Sequence, residues 1–460
     1  MFKNALLFFT AISVLAASGC VDSANDATWL DAPPLGQEFS SFRSPEKPPA
    51  TVSETYEIAE PNGVITLRQA LALALMRNPE LRAFSWETRA SEARKLQASL
   101  RPNPELEVEV EEVGGSGQWR GFDGAETTIQ LGQLIELNGK LRKRTRLASL
   151  EKELAELDYQ AKRLDVLTDT TKLFVSVLAA QEQLTLTEEL VQLSEQVLTT
   201  VSQRVEAGKD SPVEKTKSEI ALASVRIERE RARQNLESAR KQLSAVWATN
   251  SPAFERVAGQ LDVVTPIPTE DQVLDLIGQN PDISRWSVEL EQRRAALELE
   301  KAKATPDVTV SVGYKRLNGE DQDLAVFGLS IPLPVANRNQ GGILEAIHRV
   351  AKAGEERTAV ESRVGSALAK AYQSLSNAYT EATNLKNKVL DGAQDVFNAS
   401  TEAYREGKLD YLNVLDAQRT LFEARGRYIE ALAAYHTARA EVERLIGQRI
   451  DAIETTQKQQ

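Results

Sequence analysis

The residues of this chain that can do chemistry are few and, with one exception, scattered. Among 460 residues there are two histidines, His348 and His436, two methionines and one cysteine, Cys20. Each histidine stands on a helical stretch with no ligand partner at metal-binding spacing, so each reads as a surface or packing residue. No Gly-x-Ser-x-Gly, phosphate loop or zinc motif occurs, and the chain is expected to be no enzyme and to carry no cofactor and no bound metal. The exception is RPNPELEVEVEE, in which Glu105, Glu107, Glu109 and Glu111 alternate with Leu106, Val108 and Val110. Carboxylates at a period of two share one face of a strand. Such a face attracts cations without capturing them; the plainer alternative is a wet wall of solvated glutamates.

Those carboxylates need a sheet to hold them, and three further segments supply strands. ETTIQLGQLIEL puts Ile129, Leu131, Ile135 and Leu137 on one face. In ATPDVTVSVGY, Val308, Val310, Val312 and Tyr314 oppose Asp307, Thr309, Ser311 and Lys315; Phe327, Leu329, Ile331 and Leu333 follow. The strands are expected at 105–113, 127–137, 307–315 and 325–333. Their lengths suit membrane strands, which need ~9–11 residues. Four strands cannot close a barrel, because small membrane barrels begin at about eight, and open edges cannot face lipid. If these strands cross a membrane, several copies must pool them. A half-exposed sheet in a soluble domain is the alternative, and alternation does not choose between the two.

The rest of the pattern is helical and duplicated. Asn78-Pro79-Glu80 falls on Asn280-Pro281-Asp282, Pro104 on Pro306, and Gly208-Lys209 on Gly407-Lys408. The chain reads as two copies of one unit, at 63–250 and 270–448, joined by a linker at 251–269. Each copy has a short helix, an Asn-Pro break, a helix of about six turns, a strand pair, a very long helix, a Gly-Lys turn and a last helix. The long helices would span on the order of 100 Å, and the two shorter ones could stack end to end beside each. Leu150, Leu154, Leu157, Leu164 and Leu167 carry heptad-like spacing, as in coiled coils.

The net charge of −12 argues against nucleic acid as a partner. Beyond the N-terminus no apolar run reaches the ~20 residues of a spanning helix. Residues 1–19 have the basic start, apolar stretch and small residues of an export signal. Ala17-Ser18-Gly19-Cys20 resembles a bacterial lipoprotein cleavage site, with Cys20 as the lipidated residue; an ordinary signal with an incidental cysteine is the alternative. Val21, where lipoproteins kept at the inner membrane carry Asp, points outward. Residues 20–62 read as an extended tether and 449–460 as a polar tail.

Together RNPELRAF, RPNPELEVEV, ETTIQLGQLIELNGKLRKR, SIPLPVANRNQG, AGKDSPVEK and EGKLDYLNVLDAQRTLFEA resemble the TolC family of bacterial outer-membrane efflux channels, over about 65–447. The pair QLIELNGK and SIPLPVANRNQG is most similar to its heavy-metal branch, which serves cobalt-zinc-cadmium or copper-silver pumps. Leu134 and Asn138 stand where that branch commonly has proline and glycine. The resemblance implies a mainly α fold with a small membrane β part: a homotrimeric twelve-stranded β-barrel continuous with a long periplasmic α-helical barrel. It implies outer-membrane lipid, a periplasmic membrane-fusion adaptor and an inner-membrane RND pump as partners. It further implies adaptor contact at the tips Gly208, Lys209, Gly407 and Lys408, and an acidic entrance near Asp416, with Asn413 and Glu214 at related positions. A general drug or solvent channel of the same family, and a periplasmic coiled-coil adaptor, are the alternatives.

Overall fold

The computed structural model describes residues 60–451; the export signal, Cys20 and most of the tether and of the tail lie outside the described residues. The first half runs β1 (Gly63–Thr66), α1 (Leu67–Arg77), α2 (Pro79–Ser99), β2 (Glu105–Glu111), β3 (Glu126–Ile135), α3 (Lys140–Glu206) and α4 (Pro212–Ala245). The second runs β4 (Phe254–Ala258), α5 (Glu270–Leu274), α6 (Pro281–Lys303), β5 (Val308–Leu317), β6 (Gln322–Ser330), α7 (Gln340–Asn384), a π-helical turn (Leu385–Leu390), α8 (Asp391–Arg405) and α9 (Tyr411–Ile446).

The two asparagines of the Asn-Pro breaks explain how the short helices stack. Asn78 Oδ1 accepts from Leu81 N at 2.9 Å, capping α2, while its Nδ2 donates to Val246 O at 2.8 Å, just past the end of α4. Asn280 repeats the device: it accepts from Asp282 N at 2.7 Å and donates to Leu445 O at 2.8 Å, in the last turn of α9. One amide thus satisfies a donor at one helix start and an acceptor at another helix end. As a result α2 and α4 lie in line along α3, and α6 and α9 lie in line along α7. The 67 residues of α3 extend ~100 Å, so the sheet and the Gly-Lys turn lie at its opposite ends.

The four long strands form one antiparallel sheet in the order β2-β3-β5-β6. At its junction with the helices, Lys140 Nζ lies 2.7 Å from Asp307 Oδ1 and 2.6 Å from Thr305 O, past the end of α6. Arg144 donates to Ala98 O and Leu100 O at the end of α2, 3.0 Å each, and pairs with Glu136. Asn138 takes φ +56°. Asparagine tolerates the left-handed region, so the residue standing in a common glycine position keeps the glycine conformation.

Four expectations need correction. Residues 251–269 are not a plain linker: β4 pairs in parallel with β1, register Ile65↔Val257, and both are sealed against Phe174 and Trp247. Strands of four and five residues are too short to display a period. Second, the strands end where the ladder is blocked. β2 stops at Glu111, before Glu112 at φ +59°, β3 spans Glu126–Ile135, and β5 reaches Leu317. β6 is shifted to Gln322–Ser330, because Pro332 and Pro334 have no donor; Ile331 and Leu333 lie beyond it, as Leu137 lies beyond β3. Third, the short helix expected at the start of the second copy is α5 followed by a 3₁₀ turn, Ile277–Gln279. Fourth, the second long helix is interrupted by the π turn, whereas α3 is continuous.

Candidate functional site

Strand register decides what the sheet presents. Glu105, Glu107, Glu109 and Glu111 lie opposite Gly132, Gln130, Thr128 and Glu126. The same rows continue through Ser311, Gly313, Lys315 and Leu317 to Gly328, Val326, Leu324 and Gln322. All four glutamates of β2 therefore share one face, with Glu126 beside them. Lys315 Nζ pairs with Glu126 and lies 3.6 Å from Glu111 Oε2. The opposite face carries Leu106, Val108, Val110, Ile129, Leu131, Val310, Val312, Tyr314, Phe327 and Leu329, and at its outer end, in the row of Val110, Thr127 and the ion pair of Arg316 with Asp323. This face is bare: Leu106 and Leu329 are each 68% exposed and Phe327 80%. Side chains so large and so close together leave a patch that water does not tolerate uncovered. Among the described residues the outer edges of β2 and β6 have no strand partner.

At the far end, Gly208 and Gly407 take φ +70° and +75°. Each ends a helix in the left-handed conformation, with Lys209 N donating to Arg204 O at 2.9 Å and Lys408 N to Ala403 O at 2.8 Å. Lys209 and Lys408 are exposed. Asp416 and Asn413 are exposed on one face of α9, three residues apart. Glu214 is half-buried on α4, and no hydrogen bond or ion pair among the described residues joins it to Asp416 or Asn413. Burial first, then the charges of Asp210 and Asp410, raises the Glu214 carboxyl above its ordinary pKa. The structure therefore brings Asp416 and Asn413 together and leaves Glu214 with another group.

That group escaped the sequence reading. Arg204 grips Asp210 through two nitrogens at 2.7 and 3.0 Å. The Tyr404 hydroxyl donates to Asp210 Oδ2 at 2.7 Å, Arg204 Nη1 donates to Tyr404 O at 3.2 Å, and the guanidinium lies 4.6 Å from the Tyr404 ring centre. The hydrogen bond from Arg204 holds the Asp210 carboxyl below the ordinary range. Burial, with Asp210 nearby, pushes the Tyr404 phenol well up. The cluster ties the tip of α3 to the tip of α8. Asp210 and Tyr404 are 194 residues apart, and no spacing in the sequence relates them.

His348 is exposed, and half-buried His436 hydrogen-bonds Leu261 O through Nε2 at 2.9 Å. Among the described residues no group of histidines, cysteines and carboxylates is poised to hold a metal, and no helix is long and apolar enough to cross a membrane.

A family profile described as outer membrane efflux protein matches residues 70–249 and again 274–448. The cobalt-zinc-cadmium resistance protein CzcC of Cupriavidus metallidurans is 36% identical over 388 residues, 84% of this chain and 91% of that protein. The nickel-cobalt-cadmium resistance protein NccC of Alcaligenes xylosoxydans xylosoxydans is 24% identical over 63% of this chain and 64% of its own. A crystal structure of CusC, described for its folding and transmembrane channel formation, superposes with a TM-score of 0.70 at 17% identity, covering 89% of this chain and 99% of that one. The profile covers most of the described residues, the sheet and tip fit the same fold, and the chain belongs to the outer membrane efflux protein family, whose members are efflux channels and not enzymes.

Proposed function

We propose that this protein is the outer-membrane channel of a tripartite RND-type efflux system, a passive conduit that carries divalent heavy-metal cations from the periplasm to the outside. The observation that carries the reading is the sheet: bare and mainly apolar on one face, lined with carboxylates on the other, and, among the described residues, open at both edges. Three copies pool twelve strands into one barrel, and β6 meets the next copy's β2 antiparallel, since the two run in opposite directions. The apolar face then meets lipid, and Glu105, Glu107, Glu109 and Glu111 line the water-filled lumen. The two halves are tandem repeats of one unit. Metal as cargo, cobalt, zinc or cadmium first, follows the names of the relatives in the alignment. A conduit of this kind conducts best when it holds its ion weakly.

The helices support the same trimer. Val213, Ile220 and Ile227 stand seven residues apart on α4, each more than half exposed, and Val389 and Val396 make a like stripe on the π turn and α8. Within one copy α3 packs on α9. The corresponding contact between copies sets α7 and α8 against α4 of the neighbour and covers both stripes. In this reading Cys20 carries the lipid anchor. The tips at Gly208, Lys209, Gly407 and Lys408 meet the periplasmic adaptor. Asp416, with Asn413 on the same helix face and Glu214 as the counterpart in the first half, narrows the entrance.

Reconstitution in planar bilayers tests the reading: cation-selective unitary currents are expected, and Asp416→Ala should raise the closed-state leak. Ile220→Asp with Ile227→Asp should abolish the trimer on native electrophoresis. A deletion strain sensitive to antibiotics or solvents but not to cobalt, zinc or cadmium would overturn the metal reading in favour of a general efflux channel.

A further inference from the structure

The acidic face of the sheet is not uniform along its length. Glu105, Glu107 and Glu109 occupy the three rows nearer the helices, and among the described residues no ion pair reaches any of them; Glu107 accepts a hydrogen bond from the neutral Gln130. The outermost row differs. There Glu111 and Glu126 lie directly opposite on neighbouring strands, an arrangement in which like charges repel. Lys315, one strand further and one row in, sends its ammonium to both carboxylates. Among the described strand residues of this face, which include five glutamates, Lys315 is the only cation.

We infer that Lys315 sets the ion specificity of the outer end of the channel, as a built-in counter-ion that keeps the exit row weakly anionic while the inner rows stay strongly so. The inference rests on the lumenal assignment of this face. The physical reason is the requirement for release. An ion drawn along uncompensated carboxylates must leave at the last row, and two bare carboxylates per copy, repeated around a ring, would hold a divalent cation there. With Lys315 in place that row carries one net negative charge per copy in place of two. An ammonium on a flexible stem can also yield as an ion passes and then return, which a fixed backbone donor cannot do.

The test is made on the reconstituted full-length channel, with potassium chloride gradients and with cadmium ion alone as the divalent probe. Lys315→Gln should raise the potassium-over-chloride permeability ratio about two-fold or more and lower the cadmium concentration that half-blocks the potassium current about three-fold or more. Lys315→Arg should leave both near the starting values. Lys315→Gln combined with Glu126→Gln restores the charge of the row and should return both quantities to those of the unaltered protein. A conducting Lys315→Gln channel with both quantities unchanged overturns the inference, as does Lys315→Arg shifting as far as Lys315→Gln. Should Lys315→Gln fail to assemble because Glu111 and Glu126 then face each other unshielded, Glu126→Gln alone decides: both quantities must move the opposite way, and no change overturns the inference. If the unaltered protein gives no unitary currents, the channel reading itself falls, a result distinct from currents of unchanged selectivity.

Discussion

The two halves of this molecule run through the same order of long elements and differ at their tips. In the first, α3 is one unbroken helix of 67 residues whose end is clamped by Arg204 and Asp210. In the second, the corresponding helix carries a π turn at Leu385–Leu390; its tip lends Tyr404 to that clamp, and its own ion pairs, Arg405 with Glu402 and Lys408 with Glu406, are exposed. Leu385, at the start of that turn, packs against the core of Phe174, Val177 and Trp247; Leu390, at its end, packs against the core of Val201, Phe397 and Tyr411. The turn thus falls at the boundary between two cores. Equal architecture need not mean equal rigidity: the π turn is expected to be a weak point partway along the second hairpin, with no counterpart in α3.

The largest difference should appear at the tips. Arg204→Ala leaves Asp210 half-buried without its partner and should cost about 2 kcal/mol, measured by denaturant or thermal unfolding. Lys408→Ala, which removes a solvent-exposed pair, should cost no more than about 0.5 kcal/mol. Equal costs would break the comparison. Acid sharpens it. The Asp210 pKa is lower in the folded protein than in the unfolded chain, so the stability that it contributes is complete above the ordinary carboxylate range and is lost as pH falls through and below that range. Glu214 acts with the opposite sign: its raised pKa makes its ionised form unfavourable at neutral pH. Glu214→Gln should therefore raise the melting temperature at pH 7 and leave it unchanged at pH 3.

A smaller difference is expected between the two asparagine joints. Asn280 is fully buried, whereas Asn78 retains some exposure. Replacement by aspartate keeps the cap acceptor and removes the amide donor. Asn280→Asp should be the more damaging, about 2 kcal/mol against about 1 for Asn78→Asp, because an orphaned carbonyl costs more where water cannot reach it. A reversed order in unfolding experiments would show that the two joints are not equivalent devices.

The smallest effect is dynamic. Amides of the π turn should exchange with deuterium about ten-fold faster than those at 186–191 of α3, their counterparts counted back from the Gly-Lys turns. Hydrogen exchange read by mass spectrometry checks this, and matched rates would remove the claim that the second hairpin has a weak point.

Much of this was legible in the sequence where a local signal forces a local structure. Asn-Pro announced both capped helices because proline suits the first helical turn and asparagine the position before it. The run ELEVEVE announced its two faces because side chains alternate along a strand. The signals failed where pairing is with something distant. β1 and β4 are too short to show a period and exist because Ile65 and Phe254 are buried together. The shift of β6 came from Pro332, visible in the sequence but read as part of a strand. The link of Arg204, Asp210 and Tyr404 has no local signature at all.

By itself, then, the sequence determined the periods and the breaks: which segments are helix, which faces are apolar, where glycine lets the chain reverse. These follow from backbone sterics and from the separation of apolar and charged side chains, which act over a few residues. Only the tertiary structure decided which carboxylates meet a cation. Glu111, Glu126 and Lys315 lie on three different strands, and Arg204 and Tyr404 on helices from opposite halves. Coulomb attraction and hydrogen bonding act between neighbours in space, and packing alone makes these residues neighbours.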